Sequence, residues 1–338
     1  MDDLEHMRRA MALADTVRSS TAPNPWVGSL VVPAGVTATV DAATGPRFEG
    51  ATAPPGGPHA EVTALVQAGQ AARGATLYAT LEPCAHQGRT PPCVDAIIEA
   101  GVARVVIGIE DPDPRVAGRG VAALRAAGIE VTEGVAGDEV KEQLAPYLKH
   151  RSTGQPWVVL KMAASLDGRT AAPDGTSRWI TGEVARRDVH RLRAHSDAVL
   201  VGAGTVRADD PELTVRLADV DVPDDSQPLR VVLGKAPVGA KVHPALELEG
   251  ELGAVLDELG RRGVLQLLVE GGATVAHDFH AAGLVDRYVL YLAPMLFGGD
   301  DARPLFAGRG AGTLGDVWTG RLVSVEQLGE DLRVEVAA

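Results

Sequence analysis

EPCAHQGRTPPC, residues 82–93, is the stretch on which the reading of this chain turns. It holds the only two cysteines, Cys84 and Cys93, each directly after a proline. Upstream stands Pro58-His59-Ala60-Glu61-Val62. In a chain without a secretory signature, a close cysteine pair points to a metal or redox role more than to a structural disulfide; two buried free thiols are the plainer alternative. One imidazole and two thiolates are a natural zinc set, and a fourth position left to water makes such a site catalytic rather than structural. His59 and Glu61 sit at the start of one predicted helix. Cys93 opens another, where backbone N–H groups favour a thiolate. His59, Cys84 and Cys93 are therefore the candidate zinc ligands, and Glu61 is placed to carry protons for a zinc-activated water.

Working outward, the spacing predicts an α/β pattern. Leu4, Met7, Met11 and Ala14 recur at helical intervals over 2–18, and 27–32 reads as a strand after the break at Asn24-Pro25. The Gly/Pro/Thr-rich run 33–58 shows little periodicity and reads as strand, long loop and a weak edge strand. A short helix over 59–69 is followed by strand 76–80, helix 93–100, strand 102–109, helix 120–127 and strand 129–132. Strands alternating with helices mean a sheet with helices packed on it. Residues 136–156 read as a polar joint, which sets expected domains at 1–148 and 149–338. Beyond it the pattern restarts: strands at 157–163, 198–201, 229–233, 265–269 and 288–292, helices at 183–194, 248–261 and 274–281. A closing hairpin is expected from 322–328 and 332–336.

The chain has 338 residues, comfortable for two domains, with 32 Lys and Arg against 45 Asp and Glu, a net charge of −13. Such a balance disfavours nucleic acid as a partner, because phosphate backbones need basic surface. It leaves room for one local basic pocket. No run approaches the ~20 apolar residues of a membrane span, and the acidic start MDDLEHMRRAMALAD does not read as a secretory signal. The expected location is the cytoplasm.

H-x-E followed by Pro-Cys is the logic of zinc nucleobase deaminases, whose usual signature sets the cysteines closer together, as P-C-x-x-C. Here eight residues separate them. With PNPWVG (23–28) upstream and PHAEV between, the chain resembles the bifunctional riboflavin-biosynthesis deaminase–reductases, in which the long spacing is typical. The resemblance implies a cytidine-deaminase-like α/β/α N-terminal domain and a dihydrofolate-reductase-like α/β C-terminal domain. It implies deamination of 2,5-diamino-6-ribosylamino-4(3H)-pyrimidinone 5′-phosphate, then NADPH-dependent reduction of the ribosyl chain. It makes His59, Cys84 and Cys93 zinc ligands, Glu61 the proton donor and Asn24 a contact to the pyrimidine. On physics alone Asn24 is as readily a turn residue before proline. His86 and Arg89, between the cysteines, are substrate contacts or solvent-facing loop residues. The run 33–57 matches the family pattern poorly.

The second half carries KMAASLDGRT (161–170) and SRWIT (177–181), which are similar to the opening of the reductase. Two glycine turns, VGAGTVRADDP (201–211) and LVEGGAT (268–274), suit a close backbone approach by a pyrophosphate, or equally a tight packing of helix on strand. The resemblance implies cofactor contacts at Ala163, Trp179, Thr205, Asp209, Gly272, Ala273 and Thr274. It implies substrate contacts at Ser177, Arg193, Leu213, Arg216 and Glu270. Arg193 and Arg216 suit a 5′-phosphate. Leu233-Gly234-Lys235 departs from the polar strand end common in relatives, and 241–251 is short. A homo-oligomer through the reductase domain is a further expectation.

Three other readings compete. A cytidine or tRNA-adenosine deaminase fused to an unrelated domain is disfavoured by the inter-cysteine spacing, and the tRNA substrate also by the acidic charge. One half could bind without catalysing. A purely structural zinc protein is disfavoured by Glu61 beside a ligand and by a set of only three ligands.

Overall fold

The computed structural model describes residues 2–35, 47–88, 90–217 and 227–338. The chain divides into two compact units, residues 1–154 and 155–338.

The first unit opens with α1 (Asp3–Asp15), whose start is closed by a capping box: the Asp2 carboxylate accepts from the Glu5 amide at 2.9 Å and the Glu5 carboxylate from the Asp2 amide at 3.2 Å. Its sheet comprises β1 (Gly28–Val32), β2 (Phe48–Ala51), β3 (Thr76–Leu81), β4 (Arg104–Ile109) and β5 (Glu130–Glu133), in the order β2-β1-β3-β4-β5. β1 runs antiparallel to both β2 and β3, whereas β3, β4 and β5 are parallel. The crossovers are α3 (Cys93–Ala100) and α4 (Arg119–Ala126), with α2 (Ala60–Ala68) before β3. Leu77, Ala79, Val105 and Ile107 pack against Ala64, Leu65, Ile97 and Leu124 of these helices. Successive strand residues face opposite sides, so Tyr78 turns to the other layer, where its hydroxyl donates to Asp3 of α1 at 2.9 Å. Close approach explains one glycine. A Cβ at Gly50 would run into the Ala60 carbonyl at the start of α2, the turn that carries His59 and Glu61.

The expected joint at 136–156 is instead two helices, α5 (Gly137–Gln143) and α6 (Ala145–Thr153). Pro146 lies in the first turn of α6, where a missing N–H costs nothing, so it begins a helix rather than breaking one. Lys149 is thus inside α6, and the units part at Gly154 and Gln155, after the left-handed Gly154 that ends it.

The second unit is built on β6 (Trp157–Ser165), β8 (Ala198–Gly202), β9 (Leu229–Leu233), β10 (Leu246–Leu248), β11 (Gln266–Val269), β12 (Arg287–Ala293), β14 (Arg321–Leu328) and β15 (Asp331–Ala337). Their order is β10-β9-β8-β11-β6-β12-β15-β14, with every pair parallel up to β12 and antiparallel beyond. The predicted closing hairpin is the β14–β15 pair. Val158, Leu160 and Met162 face α9 (Leu252–Arg261) and α10 (Ala273–Ala281), while Val159 faces α7 (Glu183–Ala194). The expected helix 248–261 starts four residues later, because 246–248 extend the sheet as β10 beside β9. The turn at 203–209 is itself a short helix, α8 (Ala203–Asp209). A small strand pair, β7 (Arg169–Ala171) and β13 (Arg303–Pro304), has no counterpart in the sequence reading.

Candidate active sites

In a parallel sheet the strands' carboxyl ends open onto a crevice in which ligands sit. In the first unit that end of β3 runs directly into Glu82-Pro83-Cys84, and the same end of β4 into Asp111 and Asp113. His59 precedes α2 in an extended conformation and Cys93 is the first residue of α3. Three chain segments thus deliver one side chain each to one point. The ligand atoms of His59, Cys84 and Cys93 lie within 4.8 Å of one another, and among the described residues this is the only such group. The His59 Nδ1 is 3.1 Å from the Cys93 Sγ and 3.5 Å from the Cys84 Sγ. Tetrahedral zinc, with bonds of about 2.0 Å to nitrogen and 2.3 Å to sulfur, needs N–S edges of roughly 3.5 Å. The donor set fits the metal in chemistry and in spacing.

The electrostatics agree. The two sulfurs share one proton between them: the Cys93 thiol is pushed up by its bond to Cys84, while Cys84 is lowered to about 4, chiefly by Cys93 and then by His59. A divalent cation replaces that proton and makes both thiolates. Glu61 is 4% exposed, and burial, reinforced by the Cys84 charge, pushes its carboxyl up to about 7. Such a group exchanges protons near neutral pH.

His59, Glu61 and Cys84 line a cavity of about 290 Å³ with Asn24, His86, Asp111, Asp113, Arg115, Tyr147 and Arg151. The Asn24 amide donates to the Thr21 carbonyl at 2.8 Å, so Asn24 closes a turn and also lines the cavity. Arg89 lies outside the described residues. Asp111, Tyr147 and Arg151 escaped the sequence reading because they come from β4's end and from α6. The Tyr147 hydroxyl donates to Asp111 at 3.1 Å, and burial raises Asp111 to about 6. Glu82 accepts the backbone amides of Asp111, Gly118 and Val121 and so ties the ends of β3 and β4 to α4.

The second unit gathers Ala163, Ser177, Trp179, Arg193, Asp209 and Arg216 around a cavity of about 480 Å³, with Lys161 and His190. Beside it lies a buried charged triad. Arg193 donates to Glu270 through Nε and Nη2 at 2.6 and 3.0 Å, and the Lys161 Nζ is 3.7 Å from the same carboxylate. Burial alone would raise Glu270, but Arg193 and then Lys161 outweigh it and hold the carboxyl at about 2. Lys161 was passed over in the sequence because it is one residue of a motif; the available signal was a lysine inside an otherwise apolar strand, β6. Leu213 is 3% exposed, packs in the core at a φ of +57° and does not line that cavity. The Arg216 guanidinium pairs with Glu212. Trp179 is 67% exposed, with the Arg186 guanidinium 4.4 Å from its ring.

Thr205, Gly272, Ala273 and Thr274 do not line that cavity; they form the two glycine turns, which lie together because β8 and β11 are neighbours. A Cβ at Gly202 would come within 2.8 Å of Val275, and one at Gly272 within 3.4 Å of Thr205 Oγ1. Gly272 caps α10 without a side chain, so the first amides of that helix have no side-chain partner from the cap. Gly202 and Gly271 thus serve the packing of α10 on the strands, whereas a Cβ at Gly204 would meet nothing within 4 Å, which leaves that backbone open to a pyrophosphate.

Both units have known counterparts. Residues 156–334 match the family model described as the RibD C-terminal domain, and residues 1–109 match the cytidine and deoxycytidylate deaminase zinc-binding region. Riboflavin biosynthesis protein RibD of Escherichia coli is 40% identical over 370 residues, covering 98% of each chain. That of Mycobacterium tuberculosis is 42% identical over 350 residues, covering 99% of this chain and 97% of its own. Among solved structures, Acinetobacter baumannii RibD superposes with a TM-score of 0.90 at 40% identity, covering 99% of this chain and 98% of that one. A Thermotoga maritima diaminohydroxyphosphoribosylaminopyrimidine deaminase/5-amino-6-(5-phosphoribosylamino)uracil reductase does so at 0.87 and 35%, covering 99% and 98%. A likeness that runs through both units at this level is common descent, and the chain belongs to the family of the riboflavin biosynthesis protein RibD.

Proposed function

We propose that this chain carries out two successive steps of riboflavin biosynthesis, one in each unit. The first is hydrolytic deamination of 2,5-diamino-6-ribosylamino-4(3H)-pyrimidinone 5′-phosphate. The second is NADPH-dependent reduction of the ribosyl chain, giving 5-amino-6-ribitylaminouracil 5′-phosphate. The observation that carries the reading is the convergence of His59, Cys84 and Cys93 beside the buried Glu61. Here His59, Cys84 and Cys93 hold zinc. When bound, the metal supplies a water activated near neutral pH. Glu61 would carry the two protons of that water in turn, the first to the ring nitrogen and the second to the departing ammonia. Asn24 orients the pyrimidine.

In the second unit Glu270, kept ionised by Arg193 and Lys161, accepts hydrogen bonds from the substrate's hydroxyls. Arg193, Arg216, Ser177 and the backbone at Leu213 hold its phosphorylated chain. Ala163, Trp179, Thr205, Asp209, Gly272, Ala273 and Thr274 receive NADPH, which supplies the hydride for ribosyl C1′. We divide the activities at Gly154/Gln155, a little beyond the boundary at 148/149 expected from the sequence. The partners of this reading are small molecules, not nucleic acid or membrane, and the location is the cytoplasm. No helix among the described residues is long and apolar enough to cross a membrane. A homo-oligomer contact is assigned to edge strand β14 and the residues before it, where Leu314, Trp318, Leu322 and Val325 are exposed.

The deciding experiment gives the purified chain the diaminopyrimidine phosphate with and without NADPH. Ammonia release without NADPH, followed by NADPH oxidation, is expected together with one zinc per chain. Release of ammonia from cytidine, and none from the diaminopyrimidine, would give the first unit to the competing deaminase class.

A further inference from the structure

The cavity beside His59 contains a cation that the deamination chemistry leaves unused. Arg151, in the last turn of α6, lines it together with His59, Glu61 and Cys84. Its guanidinium stands 5.1 Å from the Tyr147 ring centroid, and Nη2 donates to the Pro23 carbonyl at 3.2 Å. The Nε is buried and has no hydrogen-bond partner, and no carboxylate among the described residues forms an ion pair with Arg151. The neighbouring Arg115 is committed differently. It grips Asp113 through Nε at 3.0 Å and Nη2 at 2.6 Å, and that pairing holds Asp113 down at about 2. Asp113 is thus gripped by Arg115, whereas Arg151 adds only to the field on Asp113 and forms no ion pair of its own among the described residues.

Its position is also set. The Tyr147 hydroxyl bonds Asp111 at the end of β4, the strand next to β3, which delivers Cys84. Arg151 thus stands between Tyr147, which reaches the end of β4, and Pro23, which leads into β1, and it lines the same cavity as His59 and Cys84, so that a base held at the metal-ligating group shares one space with the guanidinium. In a chain of net charge −13, a dianionic ligand needs a local cation at that end. A planar guanidinium with an idle N–H, braced by an aromatic face, is suited to a phosphate.

We propose that Arg151 binds the 5′-phosphate of the deaminase substrate and is what makes the first unit prefer the phosphorylated pyrimidine to its dephosphorylated form. Tyr147 is a positioning residue that keeps the guanidinium in place. The proposal rests on the deaminase reading above and deepens it.

The test compares the zinc-loaded full-length chain with Arg151→Met and Arg151→Lys on two substrates, the diaminopyrimidine 5′-phosphate and its dephosphorylated form. A charge-assisted contact is worth about 10- to 100-fold. Arg151→Met is expected to raise KM for the phosphorylated substrate by roughly that factor, with kcat little changed and no comparable shift for the dephosphorylated one. Arg151→Lys should recover part of the loss, and zinc content should match the parent. Equal changes on both substrates would mean that Arg151 only supports the fold, and an unchanged KM would hand the phosphate to Arg115 or His86; either overturns the proposal. If the parent chain releases no ammonia from either substrate, the deaminase reading has failed. Calorimetric titration with ribose 5-phosphate then still decides the anion site: Arg151→Met must lose a binding equivalent that the parent shows, and retention of that equivalent overturns it.

Discussion

Glu61 and Glu270 are both withdrawn from water, Glu61 4% exposed and the Glu270 side chain 9%, yet Glu61 is driven up to about 7 and Glu270 down to about 2. Desolvation raises both. The difference lies in the neighbours. Glu61 has the anionic Cys84 beside it, whereas Glu270 is clasped by Arg193 and faced by Lys161. One environment makes a carboxyl that can give and take a proton at neutral pH; the other makes a permanent anion. The first suits hydrolysis, in which protons must move among water, ring and ammonia. The second suits a step in which hydride arrives and the protein's task is to hold polar groups still.

Substituting the two glutamates separately is the sharpest way to break this contrast. Glu61→Gln keeps the volume and removes the acid, so zinc should remain while ammonia release falls by ~10²- to 10⁴-fold, the range for general acid–base catalysis. NADPH oxidation with pre-made aminouracil should be untouched. Loss of zinc, or near-normal ammonia release, would show that Glu61 is not the proton carrier.

Glu270→Ala leaves Arg193 and Lys161 buried without their anion. Removal of one partner from a buried ion pair costs about 3–5 kcal/mol. The second unit should therefore be destabilised by about that much, with NADPH oxidation slowed and ammonia release retained. The sign with pH follows from the depressed carboxyl. Its support is full above the ordinary value of 4.5 and is lost as pH falls through about 2. Urea unfolding of parent and variant should thus converge on acidification, and a constant difference down to low pH would refute the ion-pair account.

Asp111 extends the contrast to stability. It is a second raised carboxyl in the first unit, moved from 3.8 to about 6 by burial. A raised group stabilises the fold in its neutral form, fully below 3.8, and that stabilisation fades as pH rises through about 6. Asp111→Asn cannot ionise, so its stability relative to the parent should grow across this window by about 2–3 kcal/mol. Hydrogen exchange of the β4 amides reads the difference. A flat difference between pH 4 and pH 7, values bracketing the shift, would place the charged form of Asp111 in a better-solvated site than the structure shows.

Much of this molecule was legible in the residue order. Metal ligands at strand ends and helix starts, glycine turns and alternating apolar strands are local patterns, because each depends on a few neighbouring side chains and on backbone geometry. His59-Ala60-Glu61 and the two Pro-Cys pairs marked one site, and the glycine turns at 202–204 and 271–272 marked the other. The same local reasoning missed the two helices inside 136–156, the stretch in which the units part, since a proline inside a helix's first turn looks in sequence like a break. Tertiary structure alone decided which charges face one another. Tyr147 meets Asp111 across 36 residues and Arg193 meets Glu270 across 77, and Lys161 joins that pair from β6. No spacing rule encodes such meetings. The protonation of a buried carboxyl is set by charges a few ångströms away in a medium of low dielectric constant, and distance in space becomes defined only when the sheet has brought its strands side by side.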